Sequence, residues 1–140
     1  MNAPDDHPIE DIKTPKEDYT AKEVVKIQLK ALRRNDYPIK NAGVKTLYNF
    51  ASPKNRASTG PVSKFKKMVG SNEYEPMINH KGARLKEVEN KNRRAKHIAK
   101  VVSTDEDEIK YVFRLSEQES GEWKNCWTTD SITRKREYNR

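Results

Sequence analysis

Long apolar runs and cysteines are both scarce in this chain. No stretch approaches the roughly 18 to 20 apolar residues that a membrane-spanning helix needs. Cys126 is the single cysteine, so no intrachain disulfide can form, and a disulfide-stapled secreted scaffold is excluded. The first residues are acidic and contain no apolar stretch, unlike a signal or transit peptide, so any organelle presequence would already have been removed.

Large aliphatic and phenylalanine side chains are also few. Leu, Ile, Val and Phe account for 25 of 140 residues, about 18%, just under the level that warns of disorder. The periodic part of the chain concentrates them, which predicts one soluble domain with a modest core. We predict a disordered acidic tail over residues 1–19, a folded domain over residues 20–133 and a basic tail over residues 134–140.

Positive charge is abundant and unevenly distributed. The chain carries a net charge of +8, and residues 21–104 hold 20 basic and 6 acidic side chains. A strongly basic middle favours an anionic partner, such as an acidic protein surface, nucleic acid or a charged lipid surface. A lysine-rich solvated surface is the alternative explanation.

Helical periodicity occupies the first half of the chain. Thr20 and Glu23 have the capping-box spacing, and apolar residues follow them at helical intervals. The same periodicity returns over residues 44–51 and predicts a second short helix, which ends before Pro53. A third short helix is predicted directly after Gly60.

Alternating patterns, which are typical of strands, occupy the second half. The cleanest alternation places Ile109, Tyr111, Phe113 and Leu115 on one face. Three helices followed by four or more antiparallel strands predict an α+β fold. The other predicted extended segments are residues 74–80, 83–89, 93–102 and 122–133.

Several motifs, spread from about Thr20 to Thr133, resemble one family. They are Gln28-Leu29-Lys30-Ala31-Leu32, Asn35-Asp36-Tyr37-Pro38, Gly43-Val44, Tyr48-Asn49-Phe50-Ala51-Ser52-Pro53-Lys54-Asn55-Arg56, Gly60-Pro61, Phe65, Met68, Tyr74, Met77, His80 and Trp127-Thr128-Thr129-Asp130-Ser131-Ile132. This set resembles a plant and bacterial branch of the nuclear-transport-factor-2-like superfamily, whose folds are also called SnoaL-like or cystatin-like cones. No reaction is assigned to that branch.

The resemblance implies three helices packed into a strongly bent, cone-like antiparallel sheet. It does not imply one activity, because this fold serves catalysts, small-molecule binders and docking modules alike. Plant members resemble plastid proteins, which implies a plastid location if a presequence was removed and a cytoplasmic one otherwise.

A cone of this kind would enclose a cavity lined by large side chains. Arg56 would lie at its mouth, where a guanidinium either binds a carboxylate or phosphate or ties loops together through backbone carbonyls or Asp130. The sequence leaves both roles open. The other predicted cavity residues are Tyr48, Phe50, Phe65, Tyr74, His97, Tyr111 and Trp127.

Asp130 is the best acidic candidate for catalysis, with His97 as the alternative general base. Ketosteroid isomerase, which shares the superfamily fold, pairs a general-base Asp with a Tyr-containing oxyanion site. Asp130 beside Tyr48, Tyr74 or Tyr111 would imitate that arrangement, but no spacing matches. A buried His is more often a hydrogen-bonded core residue, and His80 is open to the same two interpretations.

We expect no cofactor and no metal site. No pair among His7, His80, His97 and Cys126 has a recognisable metal-ligand spacing.

A basic stripe is predicted on the strand that contains His97. Arg94, Lys96 and Lys100 alternate with His97, so they would share the opposite face. We favour an acidic protein surface over nucleic acid as their partner, because the nearby aromatics Phe65 and Tyr111 are needed in the core.

These observations predict a non-catalytic docking or small-ligand-binding module, an accessory subunit of a larger assembly. One alternative is a cofactor-free isomerase or dehydratase that uses Asp130 or His97. The other is an RNA-binding protein that uses the basic strand face. A deep cavity with convergent polar groups would favour the enzyme.

Overall fold

The first helix begins at the predicted capping box. In the computed structural model, which describes residues 12–135, helix α1 spans Ala21–Arg33. The Thr20 hydroxyl accepts from the Glu23 N–H at 3.1 Å, and the Glu23 carboxylate accepts from the Thr20 N–H at 2.8 Å. The apolar stripe faces the core, with buried Ala21, Val24, Val25, Gln28, Leu29 and Leu32.

Within residues 12–135 four α-helices precede the sheet, so the prediction of three is wrong. Helix α2 spans Ala42–Phe50, α3 spans Pro53–Thr59 and α4 spans Val62–Val69. The Ser52-Pro53 pair that ends α2 also begins α3, since the Ser52 hydroxyl accepts from the Asn55 N–H and proline is favoured in a first turn. Helix α3 buries no residue, so apolar periodicity could not predict it.

A close approach joins α1 to α2. A Cβ added at Gly43 would lie 2.6 Å from the Ala31 carbonyl oxygen and 2.6 Å from Oδ1 of Asn35. Buried Asn35 accepts hydrogen bonds from the Gly43 N–H through its main chain (2.9 Å) and from the Val44 N–H through its side chain (3.0 Å). It thereby caps α2 from outside, because the N-cap residue Asn41 makes no side-chain cap.

The segment predicted as extended over residues 74–80 contains a short 3₁₀ helix instead, Glu75–Met77. Pro76 occupies its first turn, which suits a helical start better than a strand. The segment is fixed to α1 by the Asn79 N–H, which donates to the Leu32 carbonyl at 2.7 Å.

The second half forms a four-stranded antiparallel sheet, and the α+β prediction is confirmed. Strands β1 (Gly82–Lys91), β2 (Arg94–Val102), β3 (Glu108–Glu117) and β4 (Trp127–Lys135) follow one another in that order across it. The last strand begins later than residue 122, because residues 118–126 form a hydrogen-bonded loop. The face against the helices, here called the inner face, carries buried Ala95, His97, Ala99, Val101, Tyr111, Phe113 and Leu115.

The packed chain begins before the predicted boundary at Thr20. Ile12 and Pro15 are buried, and the Tyr19 ring lies 6.3 Å from that of Phe50. Strand β4 likewise continues past residue 133 to Lys135. The remaining parts of both predicted tails, residues 1–11 and 136–140, lie outside the described residues.

Candidate functional site

Cations from three strands share the face of the sheet that points away from the helices. Alternation along β2 places Arg94, Lys96 and Lys100 opposite buried His97, as predicted. The strand register pairs Lys100 with Arg84 of β1 and Lys96 with Arg114 of β3, and cross-strand pairs share a face. With Lys86, which pairs with Ile98, they form what we call the basic sheet face: Arg84, Lys86, Arg94, Lys96, Lys100 and Arg114.

The charge of this face is not neutralised by neighbours. The ion pairs within residues 12–135 join Lys81 to Glu106, Arg93 to Glu117 and His97 to Glu87, and none includes a cation of the basic sheet face. Glu89, opposite Lys96 in the register, and Asp130, which accepts from Ser116 opposite Arg94, are carboxylates that border it. An uncompensated cluster of this kind raises the local positive potential.

A cavity of about 780 Å³ lies where β4 meets the helices. Its lining combines apolar side chains with polar ones such as Asn55 and Asp130, and it extends to Arg94, Lys96 and Arg114. Of the eight predicted ligand-binding side chains, Phe65 and Tyr74 line it. The apolar lining includes Leu47, Phe65, Val69, Leu115 and Ile132.

Both tyrosine hydroxyls near the sheet already donate to backbone carbonyls. Fully buried Tyr111 donates to the Glu73 carbonyl at 2.7 Å, and burial raises the pKa of Tyr111 to about 12. Tyr74 stacks on the Tyr111 ring at 6.4 Å and donates to the Ile132 carbonyl at 2.8 Å. Burial, with Glu73 adding to it, also raises the pKa of Tyr74. Neither hydroxyl is free to bind a ligand oxygen while these bonds hold.

The other aromatic candidates belong mainly to the core. Phe50 is fully buried in the hydrophobic core, and the half-buried Trp127 packs against that core. Tyr48 meets Phe65 edge-on, with ring centroids 5.4 Å apart. Only Phe65 of these four lines the cavity.

Arg56 ties the end of α2 to α3. Its Nε donates to the Tyr48 carbonyl and its Nη2 to the Asn49 carbonyl, each at 3.1 Å. The guanidinium also lies 4.5 Å from the centre of the Tyr48 ring. Because these are carbonyls that a helix end leaves without partners, the structure assigns Arg56 the loop-tying role, without Asp130 as a partner.

The acidic candidate does not share a face of the sheet with Tyr111 or His97. Asp130 sits at a bulge of β4 and accepts a hydrogen bond of 3.1 Å from the Ser116 hydroxyl. Ser116 alternates with inward-facing Leu115, so this carboxylate lies on the basic side of the sheet. Tyr111 and His97 lie on the inner face. The isomerase-like arrangement of Asp130 with Tyr111 is therefore not assembled.

Two histidines are buried with lowered pKa values. Both ring nitrogens of His97 lack a hydrogen bond, and its Nε2 lies 3.6 Å from Glu87 Oε1. Burial lowers the pKa of His97 and outweighs the opposing effect of Glu87, while Lys22 adds to the lowering. The Nε2 atom of His80 donates to the Leu29 carbonyl at 2.9 Å. Burial is again the main cause of the lowered pKa of His80.

Neither a metal centre nor a membrane span is found between residues 12 and 135. No group of three or more His, Cys, Asp or Glu is placed to hold a metal ion there. No helix in that range has the length and apolar character to cross a membrane. Burial raises the pKa of the Cys126 thiol, which favours the protonated form over the thiolate that binds metals.

One protein family matches residues 14–130, and its description is Domain of unknown function (DUF4864). The chain belongs to this family. The match runs from the segment before α1 to Asp130 in β4, so the DUF4864 domain includes all four helices and the whole basic sheet face. No curated protein and no solved structure matches the chain.

Sequence reasoning missed half of the basic sheet face of this DUF4864 domain. Arg84, Lys86 and Arg114 join the predicted stripe only through the register of β1 and β3 with β2. The strict alternation around Arg114 in β3 was a usable signal. Alternation in β1 is weak because the strand bulges between Glu87 and Glu89.

We expect the domain to lose stability as the pH falls below about 6.5. His80 and His97 have folded pKa values below their ordinary value, so the unfolded chain binds more protons in this window. Above pH 6.5 the two histidines do not reduce the free energy of unfolding. The free energy of unfolding then falls as the pH drops from 6.5 towards the folded pKa values of His80 and His97. Urea midpoints at pH 7.5 and 5.5 measure the loss, and His97→Gln should reduce the difference. Equal pH dependence in the wild type and His97→Gln would show that His97 does not contribute.

Proposed function

We propose that this DUF4864 domain is a non-catalytic docking module, an accessory subunit that binds an acidic surface of a larger assembly through its basic sheet face. The observation that carries the proposal is the convergence of six cations from three adjacent strands, none in an ion pair with a carboxylate of residues 12–135. Solubility alone does not require such concentration on one face. We also propose that the fold is a nuclear-transport-factor-2-like cone, which the order of helices before an antiparallel sheet supports.

The composition of the basic sheet face supports a protein partner. Half-buried Ile98 pairs with Val112 in its middle, and Val112 is only 7% exposed, so the apolar centre among the cations is small and its accessible part comes mainly from Ile98. Protein interfaces commonly combine an apolar centre with a polar rim, and charge complementarity accelerates association. Nucleic-acid binding would gain from exposed aromatic side chains between the cations. Tyr37, the exposed aromatic among the described residues, lies in the turn after α1 instead.

The cavity supports small-ligand binding as a second proposed function. Its volume of about 780 Å³ falls within the roughly 300 to 1,000 Å³ typical of ligand sites. The hydroxyls of Tyr74 and Tyr111 already donate to backbone carbonyls, which favours binding over catalysis.

The docking proposal is tested by charge reversal on the basic sheet face. Affinity purification of the tagged protein at low salt should recover an acidic partner, and Lys96→Glu/Lys100→Glu should lower its recovery at least tenfold. Two reversed contacts at about 1 kcal/mol each would exceed the 1.4 kcal/mol that equals a tenfold change. Moderate salt should also release the partner, because exposed charges are screened over about 8 Å at physiological ionic strength.

The matched control is Lys64→Glu/Lys67→Glu, which makes the same charge change on exposed residues of α4. The control and Asp130→Asn should both retain the partner. Equal recovery with Lys96→Glu/Lys100→Glu would overturn the proposal. Recovery abolished by nuclease would assign the face to nucleic acid, and a turnover lost only in Asp130→Asn would favour the enzyme.

A further inference from the structure

A second cationic surface adjoins the basic sheet face and shares Arg84 with it. A groove of about 650 Å³ runs between α1 and β1. Lys22, near the start of α1, and Glu87, in the second half of β1, both lie near enough to His97 to influence its pKa. At the other end of α1, Leu29 binds His80, two residues before β1 begins. Helix and strand therefore run antiparallel to each other along the groove.

The helical wall of the groove is a regular row of cations. Lys22, Lys26, Lys30 and Arg33 are all exposed and fall within an arc of about 80° on α1. Successive members are about 6 Å or less apart along the axis, and the row spans about 16 Å. None of the four forms an ion pair with a carboxylate of residues 12–135.

The strand wall and the floor differ from the helical wall. Arg84 adds a fifth cation from β1, whereas Leu29, Ala83 and Leu85 make the lining partly apolar. Among residues 12–135, no Asp or Glu and no Phe, Tyr or Trp side chain lines the groove. Glu87 is the carboxylate closest to it in β1, beyond Leu85.

Strand β1 is an edge of the sheet. Its one neighbour is β2, so within the described chain its other edge has no strand to pair with. Edge strands commonly carry charges and bulges that prevent pairing with other copies, and β1 has Arg84, Lys86 and the bulge at Val88. Positive charge repels a second copy of this basic chain, but it attracts an acidic strand.

We propose that this groove binds an acidic segment of a partner protein in extended conformation, which adds to the free edge of β1 as a fifth strand. Alternate side chains of a strand lie on one face about 6.7 Å apart, close to the spacing of the helical cations. One acidic face of the segment would meet α1 while its backbone pairs with β1. The inference does not rest on the docking proposal, because the four α1 cations are not part of the basic sheet face and Arg84 is the residue that the two surfaces share.

The probe is a fluorescein-labelled, end-blocked octapeptide that alternates Glu and Thr, titrated with the full chain at about 50 mM salt. Anisotropy should show saturable binding, and Lys26→Glu/Lys30→Glu should weaken it at least tenfold. Lys26→Gln/Lys30→Gln, a milder change, should weaken it in the same direction. Lys64→Glu/Lys67→Glu on α4 and Lys96→Glu/Lys100→Glu on the basic sheet face should stay within about twofold of the wild type.

A second peptide of the same sequence carries an N-methyl group on every backbone nitrogen, so it has the same charge but no backbone N–H donor. Strand addition predicts at least tenfold weaker binding of this peptide and slower amide exchange in β1 with the Glu-Thr peptide only. Equal affinity of the two peptides, or no binding of either, would overturn the proposal. So would tighter, Lys26- and Lys30-dependent binding of a single-stranded RNA of equal charge. If Lys96→Glu/Lys100→Glu were the one variant that lost peptide binding, the peptide would bind the basic sheet face instead of the groove, and the proposal would be wrong.

Discussion

Gly43→Ala is expected to lower the free energy of unfolding by about 2–3 kcal/mol, roughly 10 °C in the thermal midpoint. The added methyl group would lie 2.6 Å from the Ala31 carbonyl oxygen, which is backbone and cannot rotate away. It would also displace Oδ1 of Asn35, which accepts the hydrogen bond from Val44 at the start of α2. The better helix propensity of alanine, about 1 kcal/mol, offsets only part of this cost.

Gly82→Ala is the matched control, because a Cβ at Gly82 meets no atom within 4 Å. Its free energy of unfolding should change by no more than about 0.5 kcal/mol. Urea denaturation of both variants measures the difference. A Gly43→Ala protein as stable as the wild type would show that α1 and α2 separate easily at this contact.

Arg56→Ala is expected to destabilise the domain by about 2 kcal/mol, through charged hydrogen bonds and a cation–π contact. The variant leaves the Tyr48 and Asn49 carbonyls without their donors and removes the guanidinium from the Tyr48 ring. Thermal and urea midpoints measure the effect. A ligand clamp would instead lose affinity with little change in stability.

Arg56→Lys should retain only part of the stability that Arg56→Ala loses, since an ammonium group cannot reproduce two donors held in a planar fork. The control on the same helix is Lys54→Ala, which removes an exposed cation that makes no ion pair among the described residues. If Arg56→Ala and Lys54→Ala had equally small effects on stability, the loop-tying role would be wrong.

The local elements that were predicted well are those whose signals lie within a few residues of one another. The capping box of Thr20 and Glu23 and the alternation of Tyr111, Phe113 and Leu115 are of this kind, because periodicity reports directly which side chains face the core. Helix α3 and the 3₁₀ turn at Glu75–Met77 were missed, since short polar or proline-containing turns have no apolar period.

The candidate site was predicted in part for the same reason. Alternation was enough to place Lys96 and Lys100 opposite His97, but partners on other strands depend on register. Tyr74 and Tyr111 were expected to line a cavity, and Tyr74 lines the cavity beside β4 whereas Tyr111 is buried in the core. Their hydroxyl partners, the carbonyls of Glu73 and Ile132, are distant in sequence and could not be read from local patterns.

Local sequence patterns were enough to specify the α+β order of elements, the excess of positive charge between residues 21 and 104, and the alternation that separates cations from core on β2. These features follow from local propensity and from the period of each element. Which cations come together depends instead on how the strands and helices pack. Strand register joins Arg84 and Arg114 to the β2 stripe, and the packing of α1 beside the free edge of β1 creates the groove. Such contacts join residues far apart in sequence, so no local pattern contains them.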